Sequence, residues 1–236
     1  MTLKNAVIIV TGAGGNVGQA VVRAFAEQGA KVALVDLELA PLNAVIQSLD
    51  GDKDQFEPFA LDLNNPQAID GLFQAVEEKL GAVHHIVHTV GGFAMGDPVH
   101  AGNLDVFDQM MNLNARLLYL FGGKAADYLL KQQSGGSISF MLARAGKKGG
   151  KHNAAYTASK AAATRIMESM SAELKAHNIR VNGVSPSIID TPANRKDMPN
   201  ADFDRWVKPA QIGALMVFLA QNDAMTGADI EINAQS

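Results

Sequence analysis

Seven short, β-rich apolar runs alternate along this chain with longer stretches of helical periodicity, and that alternation constrains the fold more than any other feature. The strand candidates are Ala6–Thr11, Lys31–Asp36, Gln55–Leu61, Val83–Thr89, Ser137–Met141, Arg180–Ser185 and Ile230–Asn233. They are nearly continuous in apolar residues, as strands of a parallel sheet are when both faces are covered. Between them, Val17–Gln28, Pro41–Leu49, Pro66–Leu80, Leu104–Lys131, Tyr156–His177 and Pro209–Leu219 read as helices. The order is repeated βαβ, which predicts a doubly wound α/β fold with seven parallel strands and helices on both faces. With 236 residues, 47% of them hydrophobic and 19% charged, the chain can build one large core. It contains no internal repeat, low-complexity tract or long linker, so a single domain over residues 1–236 is expected.

Charge and composition then remove several classes of function. A net charge of -4 argues against a sequence-independent grip on nucleic acid, which needs concentrated positive charge. Small molecules are the expected partners. The absence of cysteine excludes disulfides and thiolate chemistry and is compatible with a reducing compartment. No apolar run reaches the length of a membrane helix, and Ala6-Val-Ile-Ile-Val10 runs straight into a glycine turn, as a buried strand does and a signal peptide does not. A cytoplasmic, non-membrane protein is therefore expected.

The first turn, Thr11-Gly12-Ala-Gly-Gly15-Asn16-Val17-Gly18, joins the first strand to the first helix. Small residues there let backbone N–H groups approach a pyrophosphate, whose charge is favoured by the helix N-terminus. By itself such a turn can be a tight bend that binds nothing. The confirming context is a strand before it, a helix after it and an acid about 20 residues on. That acid is Asp36, at the end of Lys31-Val-Ala-Leu-Val-Asp36. A carboxylate there can accept hydrogen bonds from a ribose diol and repels a 2′-phosphate; Leu37 and Glu38 follow, with no arginine to welcome one. The reading is a dinucleotide-binding Rossmann fold that favours NAD(H) over NADP(H). A simple helix cap is the structural alternative for Asp36.

Tyr156 and Lys160 stand four residues apart at the head of an Ala-rich helix. Such side chains share a helix face, so a lysine ammonium can approach the phenol, and a nearby cation favours phenolate. A tyrosine brought down in this way can give or take a proton at neutral pH. Tyr-x-x-x-Lys alone is weak, because the spacing recurs by chance. Two long irregular segments, Ala143–Asn153 and Ser187–Lys208, leave the carboxyl ends of predicted strands, where ligands of open parallel sheets bind.

With these motifs the chain resembles the short-chain dehydrogenase/reductase family from Thr11 to about Asn233. Asp62-Leu63 matches the family's adenine-contacting pair, and Asn114 in Met111-Asn-Leu-Asn-Ala-Arg116 falls where the family places a catalytic asparagine. Tyr156 and Lys160 match its catalytic pair, and Val90-Gly91 follows the fourth strand. Ser185-Pro186-Ser187-Ile188-Ile189-Asp190-Thr191 resembles its Pro-Gly…Thr segment, in which the threonine contacts the nicotinamide carboxamide. Gly12, Gly15, Asn16, Val17, Gly18, Asp36, Leu37, Asp62, Leu63, Val90, Gly91, Pro186, Ile189 and Thr191, with Tyr156 and Lys160, are the implied cofactor contacts. The implied activity is hydride transfer at a nicotinamide, with Tyr156 as general acid or base, Lys160 lowering its pKa and holding the ribose, and Asn114 ordering a water relay.

The pattern also breaks. The family's substrate-polarising serine falls here on Ala143, and Ser139 is four residues too early to be assumed a substitute. Asn-Asn-Ala-Gly becomes His88-Thr-Val-Gly91, and Pro-Gly becomes Pro186-Ser187. In lacking the serine, with Arg144 next to the alanine and the long Asp190–Trp206 stretch downstream, the chain resembles the dihydropteridine reductase branch. That resemblance implies a planar, conjugated, electron-poor substrate, which needs less carbonyl polarisation, with Trp206, Phe203 and Met198 available to cover it.

Other features receive plainer readings. On an unbroken strand His84 and His88 share a face and His85 points away, so no metal site is expected. Lys147, Lys148 and Lys151 either meet an anionic substrate or form a solvated loop, the commoner outcome for such charge. The long Leu104–Lys131 and Tyr156–His177 helices are apolar enough to pair across a two-fold axis, so a homodimer or homotetramer is expected. The competing functional reading is a catalytically silent dinucleotide sensor or scaffold; isomerase or dehydratase chemistry is a third, less favoured because the extra C-terminal substrate domain of such relatives is missing.

Overall fold

Continuous runs such as Val7-Ile-Ile-Val-Thr11 are buried along their whole length, and the strands they form lie side by side in one parallel sheet. A computed structural model describes residues 2–50 and 52–235. In chain order it contains β1 (Val7–Thr11), α1 (Asn16–Ala26), β2 (Lys31–Asp36), α2 (Leu39–Ser48), β3 (Phe56–Ala60), α3 (Pro66–Leu80) and β4 (Val83–His88). There follow α4 (Leu104–Met110), α5 (Leu117–Gln132), β5 (Gly136–Met141), α6 (Ala154–Leu174), β6 (Ile179–Pro186), α7 (Pro192–Asp197), α8 (Pro209–Gln221) and β7 (Asp229–Ile232). The sheet order is β3-β2-β1-β4-β5-β6-β7, so the winding reverses between β1 and β4. This is the expected doubly wound α/β fold.

Period-two burial sends alternate strand residues to opposite cores. Ile9, Val35, Ile138 and Phe140 pack under α3, α5 and α6 with Phe73, Phe121 and Met167. On the other face Ile8, Val10, Val32 and Leu34 pack against Val21, Phe25, Ile212 and Met216 of α1 and α8. Each face of the sheet is thereby covered by helices, which is why its strands read as unbroken apolar runs.

Two departures from the expected elements bear on the site. Leu104–Lys131 is not one regular α-helix: Met111–Arg116, between α4 and α5, is wound as a π-helix. Such insertions cluster at functional positions because they re-aim side chains, and this one holds Asn114. In β4 the register slips, Val7 pairing with Val83 but Ile8 with His85. The extra residue is His84, so simple alternation of the histidines fails. Within Ser187–Lys208, Thr191 caps the short α7 by accepting a hydrogen bond from the Asn194 N–H at 3.2 Å.

Candidate active site

The carboxyl ends of β1 and β4 are stitched together where the winding reverses. Thr89 Oγ1 donates to the Thr11 carbonyl at 2.7 Å, and Gly12 turns away from the strand with φ +71, a left-handed conformation that favours glycine. At Gly18 a Cβ would lie 2.0 Å from the Gly12 carbonyl oxygen, so only glycine lets α1 start so close to β1. Gly15 caps α1 without a side-chain hydrogen bond, and no acidic residue occupies the first turn. The N–H groups of that turn are aimed at an anion by geometry and dipole. Asp36, at the end of β2, accepts the Gly14 N–H at 2.9 Å through one carboxylate oxygen and the Leu37 N–H at 2.8 Å through the other. It is not a helix cap, since the residue preceding α2 is Glu38. Each of its oxygens keeps a second lone pair. Asp62 and Leu63 follow β3, with Asp62 accepting the Asn64 N–H at 2.8 Å and Leu63 buried.

Beyond β4, β5 and β6 a cavity of about 880 Å³ opens. Val17, Gly91, Tyr156, Lys160, Pro186 and Ile189, expected from sequence, all line it, as do Ala143 and Arg144. Gly91 passes so close to the buried groups that a Cβ would lie 2.9 Å from Asn114 Oδ1 and 3.0 Å from Lys160 Nζ. The expected Gly12, Gly15, Asn16 and Gly18 belong to the glycine turn and the start of α1, and Thr191 caps α7 without lining the cavity.

Tyr156 and Lys160 occupy the first turns of α6. The Lys160 ammonium is buried and donates to the Met141 carbonyl at 3.2 Å. Burial in apolar surroundings lowers its pKa to about 8, which still leaves it mainly charged at neutral pH. Burial acts on Tyr156 in the opposite sense, because it penalises phenolate: the phenol is raised to about 12. Desolvation sets this direction, opposite to the lowering expected from Lys160. A neutral phenol at pH 7 is a proton donor in waiting. Phe93 sets its ring edge-on to Tyr156, with centroids 4.9 Å apart.

Asn114 acts on the backbone opposite. Its Oδ1 accepts the Gly92 N–H at 2.9 Å, while its Nδ2 donates to the Gly92 carbonyl at 3.0 Å and to Ser159 Oγ at 3.0 Å. The side-chain amide is thus engaged by protein groups, holding the Gly91–Gly92 turn to α6.

A family model described as short chain dehydrogenase matches residues 6–202. The chain belongs to the short-chain dehydrogenase family. It is an oxidoreductase of that family, with the fold's glycine turn and its Tyr-Lys pair brought to one end of the sheet. Among similar curated proteins are a 3-oxoacyl-(acyl-carrier-protein) reductase of Thermotoga maritima, 27% identical, matching 99% of this chain and 98% of its own. A D-threitol dehydrogenase of Mycolicibacterium smegmatis is 28% identical over 98% of this chain and 92% of its own. The crystal structure of gox2181 superposes with a TM-score of 0.90 at 27% identity, covering 98% of this chain and 95% of that one.

Several sequence expectations change at this site. Trp206 is buried, packs against Phe203 in a tilted arrangement with ring centroids 4.8 Å apart and does not line the cavity; Phe203 instead carries the Arg195 guanidinium 4.6 Å above its ring. The two aromatics anchor the loop. Of that trio only Met198 reaches the cavity. The 143–153 segment is not wholly solvated, because Lys147 pairs with Glu231 at 2.7 Å and Asp229 at 3.3 Å. The histidines are spent on the sheet: His84 Nδ1 accepts the Val7 N–H at 3.0 Å, and the Nδ1 atoms of His85 and His88 bond Ser137 and Thr11 at 2.8 Å each. Phe93, Asn153 and Glu231 line the cavity without having been singled out. The only signal for Phe93 was its place after Gly91-Gly92, in the loop leaving β4.

Among the described residues no helix is long and apolar enough to cross a membrane.

Proposed function

We propose that the chain is an NAD(H)-dependent reductase that acts on a small carbonyl compound or a conjugated, pterin-like heterocycle, with Tyr156 as general acid. The observation that carries this reading is the shared cavity wall of Tyr156, Lys160 and the serine-less Ala143. A nicotinamide held here would supply a hydride to the electrophilic carbon of the substrate. Tyr156 gives its phenolic proton to the atom that receives the electron pair, and its high pKa keeps that proton in place until then. Lys160, charged and bonded to the Met141 carbonyl, stabilises the phenolate left behind and would hold the nicotinamide ribose. Asn114 serves by fixing the Gly91–Gly92 turn against α6.

The residues present fit a dinucleotide. The glycine turn and the uncapped first turn of α1 suit a pyrophosphate. Asp36 suits a ribose diol and repels a 2′-phosphate, and the neighbouring Leu37 and Glu38 bring no cation. By the family resemblance Asp62 and Leu63 would contact the adenine and Thr191 the nicotinamide carboxamide, with Leu37, Val90 and Ile189 as further cofactor contacts. Ala143 supplies no hydroxyl to polarise a ketone, which favours a substrate that is already electrophilic. A two-fold pairing of α4, α5 and α6 is part of the same reading.

The test is a comparison of NADH with NADPH and of quinonoid dihydropterin with simple ketones and polyols, followed by Tyr156→Phe. Turnover of pterin with NADH and its loss in the variant are expected. Turnover of ketones alone rejects the pterin-like class, NADPH preference rejects the role given to Asp36, and dinucleotide binding without turnover of any substrate favours a sensor.

A further inference from the structure

The segment between β5 and α6, Ala143-Arg-Ala-Gly-Lys-Lys-Gly-Gly-Lys-His-Asn153, carries four cations and no acid in a chain whose net charge is -4. Three of those cations, Arg144, Lys147 and Lys148, line the same cavity as Tyr156. Two acids meet this wall, Glu231, which lines the cavity, and Asp229, and Lys147 is paired with both. Lys148 has no acidic side chain within 4.0 Å among the described residues. Arg144 adds a second charge to the same wall and helps hold the Glu231 carboxyl below its usual range, after the larger effects of Lys147 and Asn233. Asn153, which also lines the cavity, has its Oδ1 committed to the Gly150 N–H at 3.0 Å.

We infer that the small-molecule ligand of this cavity carries an anionic group, a carboxylate or a phosphate, bound by Lys148 and Arg144. The inference rests on the proposed reading that the cavity receives the substrate. A cleft in which one sign of charge predominates, here Arg144, Lys147, Lys148 and Lys160 against Glu231, concentrates ligands of the other sign, the more so when the rest of the molecule repels them. The cofactor's own phosphates do not account for these cations. The Lys147 ion pairs tie the basic wall to β7, at the edge of the sheet opposite β2 and Asp36, whereas the glycine turn that suits a pyrophosphate follows β1. The ion pairs also give the wall a fixed position, since Lys147 anchors the segment whose next residue is Lys148.

Calorimetric titration of the full chain with malonate, with inorganic phosphate and with NAD+ tests the inference without requiring turnover. Lys148→Gln and Arg144→Gln are expected each to weaken malonate or phosphate binding about fivefold, the scale of one exposed charge pair, while Lys148→Arg retains it and NAD+ affinity is unchanged. The stronger of the two anions identifies the group. Raising ionic strength should weaken anion binding in wild type and less so in the variants. Anion affinity that is undetectable, or equal in wild type and Lys148→Gln, overturns the inference, as does a loss of NAD+ affinity matching the loss of anion affinity. Both side chains are exposed, so the variants are expected to fold, with circular dichroism as the check. Anion binding that depends on Lys148 in a protein that turns over no carbonyl or pterin would leave this subsite standing and remove the reductase reading. Reduction of uncharged substrates with no anion dependence would do the reverse.

Discussion

Asn114 and Gly92 exchange two hydrogen bonds, the Gly92 N–H to Asn114 Oδ1 at 2.9 Å and Asn114 Nδ2 to the Gly92 carbonyl at 3.0 Å. An amide side chain here imitates one rung of a sheet ladder, extending the order of β4 into the loop that lines the cavity. The π-helical turn at Met111–Arg116 makes this possible by aiming Asn114 at that loop.

Asn114→Ala removes both bonds and the donor to Ser159. Leaving partly buried backbone groups unpaired costs about 1–3 kcal/mol. For a chain of this size that is a fall in Tm of about 2–4 °C per kcal/mol, measurable by calorimetry. If Asn114 positions the Gly91 turn beside Lys160, activity should fall more than stability; Asn114→Asp, which cannot donate to the Gly92 carbonyl, should fail in the same direction.

Gly18 is a position where a single methyl is intolerable. Its Cβ would lie 2.0 Å from the Gly12 oxygen and 2.8 Å from Ala13 Cα, both backbone atoms that a rotamer change cannot move. Gly18→Ala is expected to destabilise by about 3 kcal/mol or more, at the upper end for overpacking. Urea unfolding of the purified variant checks this, and a change within 1 kcal/mol of wild type would show that α1 can shift away from β1 without cost.

How much of this was legible in the sequence differs by element. The strands were readable because both faces of each are covered, so apolar continuity marked them; Lys31–Asp36 and Pro66–Leu80 match the structure residue for residue. The π-turn around Asn114 was not, since helical periodicity does not separate i→i+4 from i→i+5 winding over one turn. The slip at His84 was likewise invisible, because a bulge adds one residue without altering composition. Tyr156 and Lys160 were legible from spacing and Gly91 through the family resemblance, but the fate of Trp206 was not: an aromatic in a long loop reads the same whether it covers a ligand or anchors the loop. Burial decides such cases, and burial is a property of the whole fold. The same holds for the Tyr156 phenol, whose neighbour was visible in sequence and whose desolvation was not.

Tyr156→Phe should separate chemistry from folding. Among the described residues no group hydrogen-bonds the Tyr156 hydroxyl, while its ring is held by Phe93. Removing the oxygen keeps that contact and leaves no orphaned partner, so stability should stay within about 0.5 kcal/mol. Under the proposed mechanism kcat falls about 10²- to 10⁴-fold, the usual contribution of a positioned proton donor. Stopped-flow or steady-state NADH oxidation measures the loss, and an unchanged kcat would assign the proton to another group.

His85 and His88 predict the acid limb of the stability curve. Both are buried, both are lowered to about 3 mainly by desolvation, and the Nε2 of each lacks a protein hydrogen-bond partner. His88 is further disfavoured as a cation by Lys160, and its ring stacks on Phe121 with centroids 5.1 Å apart. In the unfolded chain each titrates near 6.5. Between pH 6.5 and 3 the unfolded state therefore binds more protons, so stability is fully present above pH 6.5 and falls as pH is lowered through that window. At pH 5 the loss is about 2 kcal/mol for each histidine, from 1.36 kcal/mol per pH unit. His88→Gln keeps a polar partner for Thr11 and does not titrate in this range. The variant is expected to be less stable than wild type at pH 7.5, where it loses the ring's packing, and to close that gap by about 2 kcal/mol at pH 5. Urea unfolding at the two pH values measures the change, and parallel pH dependence in the two proteins would show that His88 becomes protonated without unfolding the sheet.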